Sequence, residues 1–200
     1  MGFKPIQTDY PLILASASPR RKRLLEQIGL PFRTYPSDIE ENHSGNPVAD
    51  TKNLAGKKAK AILYEINGHW TLGADTVVVI DGKILGKPAD DDDALLMLRG
   101  LSGREHQVIT GFAILNPSGR QAYSETVTTL VKMKHLTDKE IGAYIATKEP
   151  FGKAGSYAIQ GIGAFMIEVI SGSYTNVVGL PLCALIKALF STGALTDFPL

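Results

Sequence analysis

The sequence predicts an α/β fold, and three observations carry that prediction. Residues 12–29 read as a short apolar strand running through a small-residue turn into a helix. Residues 77–85 read as a β-branched hairpin turning at Asp81-Gly82, the favoured two-residue turn. Elsewhere, apolar residues at helical spacing alternate with Thr- and Val-rich strands. Two hundred residues, 44% of them hydrophobic, suffice for one well-packed domain or two small lobes sharing a core.

The first stretch takes Leu12, Ile13, Leu14 and Ala15 as strand, Ser16, Ala17 and Ser18 as turn, and a helix from Pro19 to a stop at Gly29. The Ser18 hydroxyl suits the N-cap, where it accepts from an orphan amide, and Pro19 suits the first helical position, where a missing N–H costs nothing. Leu24, Leu25 and Ile28 form the stripe to be buried. Arg20 and Arg21 break the pattern, because the dipole at a helix start is already positive and each cation there costs about 0.3–1 kcal/mol. Free amides, the Ser16 and Ser18 hydroxyls and two guanidiniums converging on one point are what a phosphate chain needs. The plain alternative is a solvated, arginine-rich helix start.

Residues 31–35 read as a strand that leaves through Asp38, Glu40 and Glu41. These carboxylates either face solvent or face phosphates and hold a divalent metal. Between Val48 and about Tyr64, the apolar Leu54, Ala55, Ala59, Ile62 and Leu63 recur at helical spacing opposite Lys52, Lys57, Lys58 and Lys60. Most of these lysines belong to a wet face; one turned inward is a phosphate contact.

Asp75 heads the hairpin, flanked by Gly73 and Ala74 and running straight into the apolar residues 77–80. A carboxylate adjoining a buried strand is costly unless paired, hydrogen-bonded or metal-bound, so Asp75 is read as functional, against a cap or turn role. Lys87 follows the returning strand, which places it near the hairpin's base and close to Asp75. Asp90 to Asp93 are read as dipole-favourable caps, not a metal site, on a helix through Leu101 with Leu95, Leu96, Leu98 and Leu101 inward. Residues 106–115 and 123–133 read as strands joined through Asn116-Pro117-Ser118-Gly119, and Thr137-Asp138-Lys139-Glu140 as a capping box opening a helix through Ala146. The stretch 151–165 is glycine-rich and carries Lys153 and Gln160, whose amide offers one donor and one acceptor to a base edge. A strand over 165–170 and a helix over 181–191 close the domain, with no repeat or linker.

A net charge of +1 leaves no electrostatic footprint for a nucleic-acid backbone, while a small anionic ligand remains compatible. Cys183, the only cysteine, excludes an intramolecular disulfide and a multi-cysteine metal site; set among Leu182, Ala184 and Leu185, it reads as a buried structural thiol. His43, His69, His106 and His135 are scattered, without the spacing of a histidine metal site. No segment approaches the ~18 apolar residues of a membrane span, and Ile6 stands where a myristoylation signal after Gly2 needs Ser or Thr. The expected setting is the cytoplasm.

Together these stretches resemble the Maf family of nucleoside triphosphate pyrophosphatases. The likeness is carried by Leu14-Ala15-Ser16-Ala17-Ser18-Pro19-Arg20-Arg21, Asp38-Ile39-Glu40-Glu41, Leu54-Ala55 with Lys58-Ala59, and Gly73-Ala74-Asp75-Thr76-Val77-Val78. It continues through Gly86-Lys87-Pro88, Leu101-Ser102-Gly103-Arg104, Lys153-Ala154-Gly155-Ser156-Tyr157-Ala158-Ile159-Gln160-Gly161, Gly172-Ser173-Tyr174 and Val178-Gly179-Leu180-Pro181-Leu182.

The resemblance implies a single domain over 1–200, with 1–11 as an N-terminal extension, in a Maf/ITPase-like fold. That fold is a bent mixed sheet with helices on both sides and two lobes around a nucleotide cleft. The resemblance also implies cleavage between the α and β phosphates with a divalent metal, magnesium or manganese. Family roles carry onto Ser16, Arg20, Arg21, Glu41, Lys58, Asp75, Lys87 and Gln160, with Ser18, Thr76 and Lys153 completing the substrate contacts. Arg20, Arg21, Lys58 and Lys87 would stabilise the triphosphate and the leaving pyrophosphate; Glu41 and Asp75 would hold the metal and handle the attacking water, with Asp75 favoured as base.

Arg20-Arg21, Ala74-Asp75-Thr76 and Ala158-Ile159-Gln160-Gly161 resemble the dTTP/UTP branch, in which Gln160 or nearby backbone would read the O4 and N3–H edge. Gly152 departs from the commoner Asp, for which Glu149 is a candidate replacement, and Asn53 from a more usual Arg. A homodimer is suggested, with 123–130 as an edge strand for pairing. The rivals are a nucleotide-binding regulator of septum formation and a pyrophosphatase for noncanonical purine nucleotides.

Overall fold

The computed structural model describes residues 2–42 and 44–200; His43, one of the four scattered histidines, lies outside the described residues. The elements are β1 (Leu12–Leu14), α1 (Pro19–Gln27), β2 (Phe32–Thr34), α2 (Pro47–Ala61), β3 (Thr71–Ile80), β4 (Lys83–Leu85), α3 (Asp91–Leu101), β5 (Glu105–Leu115), β6 (Gln121–Met133), α4 (Asp138–Ala146), β7 (Ile167–Ser171), α5 (Tyr174–Val178) and α6 (Leu182–Ser191). Seven strands form one mixed sheet in the order β2-β1-β3-β5-β6-β7, with β4 paired to β3. β1 runs parallel to both β2 and β3, whereas β3–β4 and β6–β7 are antiparallel. The α/β expectation and the mixed sheet are therefore observed.

The chain divides into two compact units, the first comprising Met1–Asp75, Thr110–Val127 and Gly179–Leu200 and the second Thr76–Ile109 and Thr128–Val178. In the first unit β1 is wholly buried, and Ile13 and Ala15 pack on Ile62 with Tyr35 and Ile66. Two glycines let α2 lie directly on the strands: a Cβ on Gly73 of β3 would meet the Ala55 carbonyl oxygen at 2.0 Å, and one on Gly111 of β5 the Thr51 carbonyl carbon at 2.4 Å. No side chain fits in either gap. The N-terminal segment is tied down as well, since Trp70 Nε1 donates to the Lys4 carbonyl at 3.0 Å and the Ile6 amide to Ala194 at 2.8 Å.

α6 buries Leu182, Leu185, Ala188 and Leu189, and this phase turns Cys183 outward. The expected buried thiol is thus an exposed one: its apolar neighbours in sequence occupy the opposite face of the helix.

In the second unit the hairpin turns at Asp81 and Gly82, both at positive φ (51° and 72°), which that turn requires. Val78, Ile80, Leu98, Leu101, Val108, Val131, Met133, Ile141, Tyr144, Tyr157 and Met166 belong to one core cluster. Asp90 caps α3 by accepting from the Asp93 amide at 2.8 Å, and Thr137 and Glu140 form the expected capping box on α4. Glu140, held foremost by the Lys134 ammonium and also by the Thr137 amide, drops to a pKa of about 2.

Three expectations need correction in this unit. Leu96 is 67% exposed, because the inward stripe of α3 runs through Ala94, Leu98 and Leu101, with Leu95 at its margin. The strand expected from Phe165 starts at Ile167, after a 3-10 turn over Ile162–Met166. α5 was not expected; the Asn176 amide anchors it by donating to the Val108 carbonyl and Thr129 Oγ1, both at 3.0 Å.

Candidate functional site

β1 leads into α1 through a turn built on serine hydroxyls. Ser16 Oγ accepts from the Ser18 amide at 3.2 Å, and Ser18 Oγ accepts from the Arg21 amide at 3.4 Å as the N-cap. Arg21 folds back under this turn, donating from Nη1 to Ser16 Oγ at 3.2 Å and from Nε to the Gly179 carbonyl at 2.8 Å. Only 9% exposed, it is no solvated helix start. Burial lowers its pKa, the charges of Asp75 and Glu41 oppose that shift, and Arg20 adds to it. Arg20 is half-buried and shifted down by burial too.

Seated on Gly73 and Gly111, α2 buries Thr51, Leu54, Ala55, Lys58 and Ala59, while Lys52, Lys57 and Lys60 are exposed. Lys58 is the inward lysine. Its Nζ donates to Glu41 Oε1 and to Asp75 Oδ1, each at 2.6 Å, so one ammonium bridges two carboxylates. Lys58 and Asp75 are 8% and 4% exposed, which removes both from bulk water. Asp38 and Glu40 are exposed, as the solvent alternative expects, while Glu41, exposed as well, is drawn into the ion pair with Lys58. The sequence did hold a signal for the right lysine. Among the four, only Lys58 falls on the i, i+3, i+4, i+7 stripe that starts at Thr51.

Asp75 Oδ2 is buried and finds no hydrogen-bond partner among the described residues. A carboxylate oxygen in that condition costs free energy unless a donor or cation meets it. Oxygen from Asp75, with Glu41 on the same ammonium, is the hard donor chemistry that magnesium or manganese takes. Among the described residues no group of three or more His, Cys, Asp or Glu side chains converges on a metal position. Two carboxylates fit such a cation when phosphates and water supply its remaining ligands.

Two supporting residues had not been singled out. The Gly179 carbonyl holds Arg21. Asp50, buried in the first turn of α2, accepts from the Ser44 amide and hydroxyl at 2.8 and 2.6 Å and from the Gly45 amide at 3.2 Å, which fixes Ser44 and Gly45 against the helix start. Its only advance signal was an acid near a helix start, which a dipole explains equally well.

The remaining expected residues belong to the second unit. Thr76, Lys153 and Gln160 are half-buried and Lys87 is exposed. Gly152 lies at φ +72°, with open space where a Cβ would stand. Glu149, the candidate replacement for an acid at that position, is engaged with its own loop: its carboxylate accepts from the Tyr144 hydroxyl and from the Ile162 and Gly163 amides.

Fold and site define a class: an α/β protein that gathers buried charges of both signs beside an arginine-bearing helix start. Within that class the chain belongs to the Maf family, whose model, described as "Maf-like protein", matches residues 11–192. It is 50% identical over 198 residues to a dTTP/UTP pyrophosphatase of Syntrophotalea carbinolica, covering 97% of this chain and 90% of the relative. To a dTTP/UTP pyrophosphatase of Citrifermentans bemidjiense it is 53% identical over 186 residues, covering 92% and 96%. A solved nucleoside-triphosphatase / dITP/XTP pyrophosphatase of Mycobacterium abscessus is 16% identical with a TM-score of 0.46, covering 95% of this chain and all of the other.

Proposed function

We propose that the protein is a nucleoside triphosphate pyrophosphatase that hydrolyses dTTP and UTP to the monophosphate and pyrophosphate. The observation that carries this reading is the Glu41–Lys58–Asp75 bridge, with an open carboxylate oxygen beside a phosphate-ready helix start. Relatives at about half identity bearing that activity in their names support it. A pure sensor of nucleotides has no need of a positioned carboxylate base, which favours catalysis over a regulatory role.

The Ser16 and Ser18 hydroxyls, the amides opening α1 and the Arg20 guanidinium bind the triphosphate, while Arg21 holds the turn in shape and adds positive potential. Glu41 and Asp75 would hold the divalent cation, which when bound offsets phosphate charge. Asp75 takes the proton of the attacking water at its open oxygen as the α–β bridge breaks and pyrophosphate leaves with the bonding pair. Lys58, whose ammonium the two carboxylates would give up in holding a cation, stabilises the departing oxygens together with Lys87. Thr76 and Lys153 contact substrate. Gln160 reads the O4 and N3–H edge shared by uracil and thymine, a pattern that cytosine inverts. Free nucleotides as substrates suit a cytoplasmic enzyme.

Pyrophosphate release from dTTP, UTP, CTP, 7-methyl-GTP and ITP, with magnesium or manganese, tests the reading. The expected result is release from dTTP and UTP at least about tenfold faster than from the others. Preference for ITP overturns the substrate class, and binding without any release moves the protein to the regulatory reading.

A further inference from the structure

The loop that carries Gln160 is held by one carboxylate. Glu149 Oε1 accepts from the Tyr144 hydroxyl at 3.0 Å and the Gly163 amide at 2.8 Å, and Oε2 accepts from the Ile162 amide at 3.0 Å. The Tyr144 oxygen in turn accepts from the Ala158 amide at 3.2 Å. Residues 158 and 162–163 are therefore tied to the same two side chains, with Gln160 in the short span between the ties. The fit is tight: a Cβ on Gly161, at φ +79°, would stand 2.5 Å from Glu149 Oε2, and one on Gly163 would stand 2.4 Å from the Ala158 carbonyl and 2.7 Å from the Tyr144 oxygen. Lys153 Nζ donates to the Glu149 carbonyl, so the backbone of the anchor is fixed as well. Burial pushes the Glu149 carboxyl up, but the amides and the Tyr144 hydroxyl outweigh it and keep the group ionised.

Two loop amides and a hydroxyl aimed at one carboxylate define a single loop conformation, because the charged acceptor strengthens all three bonds together. We propose that Glu149 is the positioning residue for base selection: by fixing the 158–163 loop it sets where the Gln160 amide stands, and thereby the preference for uracil and thymine over cytosine. The inference rests on the reading of Gln160 given above. A base edge is discriminated by donor and acceptor placement, so a loop released from its anchor loses discrimination before it loses chemistry.

The test uses the full chain with Glu149→Ala, Tyr144→Phe and Gln160→Ala, measuring kcat and KM for UTP and CTP by pyrophosphate release, alongside thermal melts. Glu149→Ala is expected to lower the UTP/CTP ratio of kcat/KM about tenfold, through a higher KM for UTP, with kcat on UTP kept within about threefold. Tyr144→Phe shifts the ratio in the same direction by less, and it decides the matter if Glu149→Ala does not fold. A merely structural role lowers the melting temperature and leaves the ratio alone. An unchanged ratio in both loop variants, while Gln160→Ala changes it, overturns the positioning role and leaves the Gln160 reading intact. If Glu149→Ala changes the ratio and Gln160→Ala does not, the Gln160 reading fails and Glu149 positions the loop backbone as the reader; if neither changes it, both fall.

Discussion

The two units bury polar groups of different kinds. Among the described residues, every buried charged side chain, Arg21, Asp50, Lys58 and Asp75, belongs to the first unit; the buried polar groups of the second are His106, Thr129, Ser156 and Asn176. In the second unit neutrality is enforced. His106 Nε2 pairs with the Tyr157 hydroxyl at 2.7 Å, and burial brings the imidazole down to a pKa of about 4, so it is uncharged at neutral pH. In the first, Lys58 and Arg21 balance Glu41 and Asp75 without relieving the cost of desolvation, and one carboxylate oxygen is left open. Among the described residues, buried ions are confined to the first unit, and the second buries only uncharged hydrogen-bonding groups.

The largest effect expected from this contrast is catalytic. Asp75→Asn should lower dTTP turnover by about 10³-fold while nucleotide binding persists, measured by pyrophosphate release and calorimetry; unchanged turnover would break the contrast at its centre.

The second unit should respond to pH instead. Because His106 keeps a depressed pKa when folded, the unfolded chain binds the extra proton between pH 6.5 and about 4, and stability must fall as pH is lowered through that window. The loss should approach about 3 kcal/mol by urea denaturation, and His106→Gln should flatten it. In Gly73→Ala, where the new methyl must displace α2, destabilisation of about 1–3 kcal/mol is expected from thermal melts.

Smallest, and most telling, is Arg20→Ala. It should raise the KM for dTTP while stabilising the nucleotide-free protein by about 0.3–1 kcal/mol, since a cation leaves a helix start. A fall in stability would mean that Arg20 serves the fold.

How much of this the sequence disclosed depended on range. The β1–α1 turn, the Asp81-Gly82 hairpin and the Thr137 capping box are written in neighbouring residues, and all were legible. Lys58 was half legible: its place on the apolar stripe is local, but its two carboxylate partners come from 17 residues away on either side. The outward turns of Cys183 and Leu96 and the 3-10 turn at Ile162 were not legible, because what lies beneath each helix or loop is set by distant strands. The open oxygen of Asp75 was invisible for a different reason: sequence names a carboxylate but not which of its oxygens finds a donor.

Cys183 offers a practical handle. As the only thiol in the chain, and an exposed one, it accepts a single maleimide fluorophore per molecule without any engineered cysteine. The label would sit at the start of α6, four residues beyond the Gly179 carbonyl that grips Arg21. A dye at that point would test optically whether nucleotide addition disturbs the grip on Arg21, and a stopped-flow trace would time any such change against turnover.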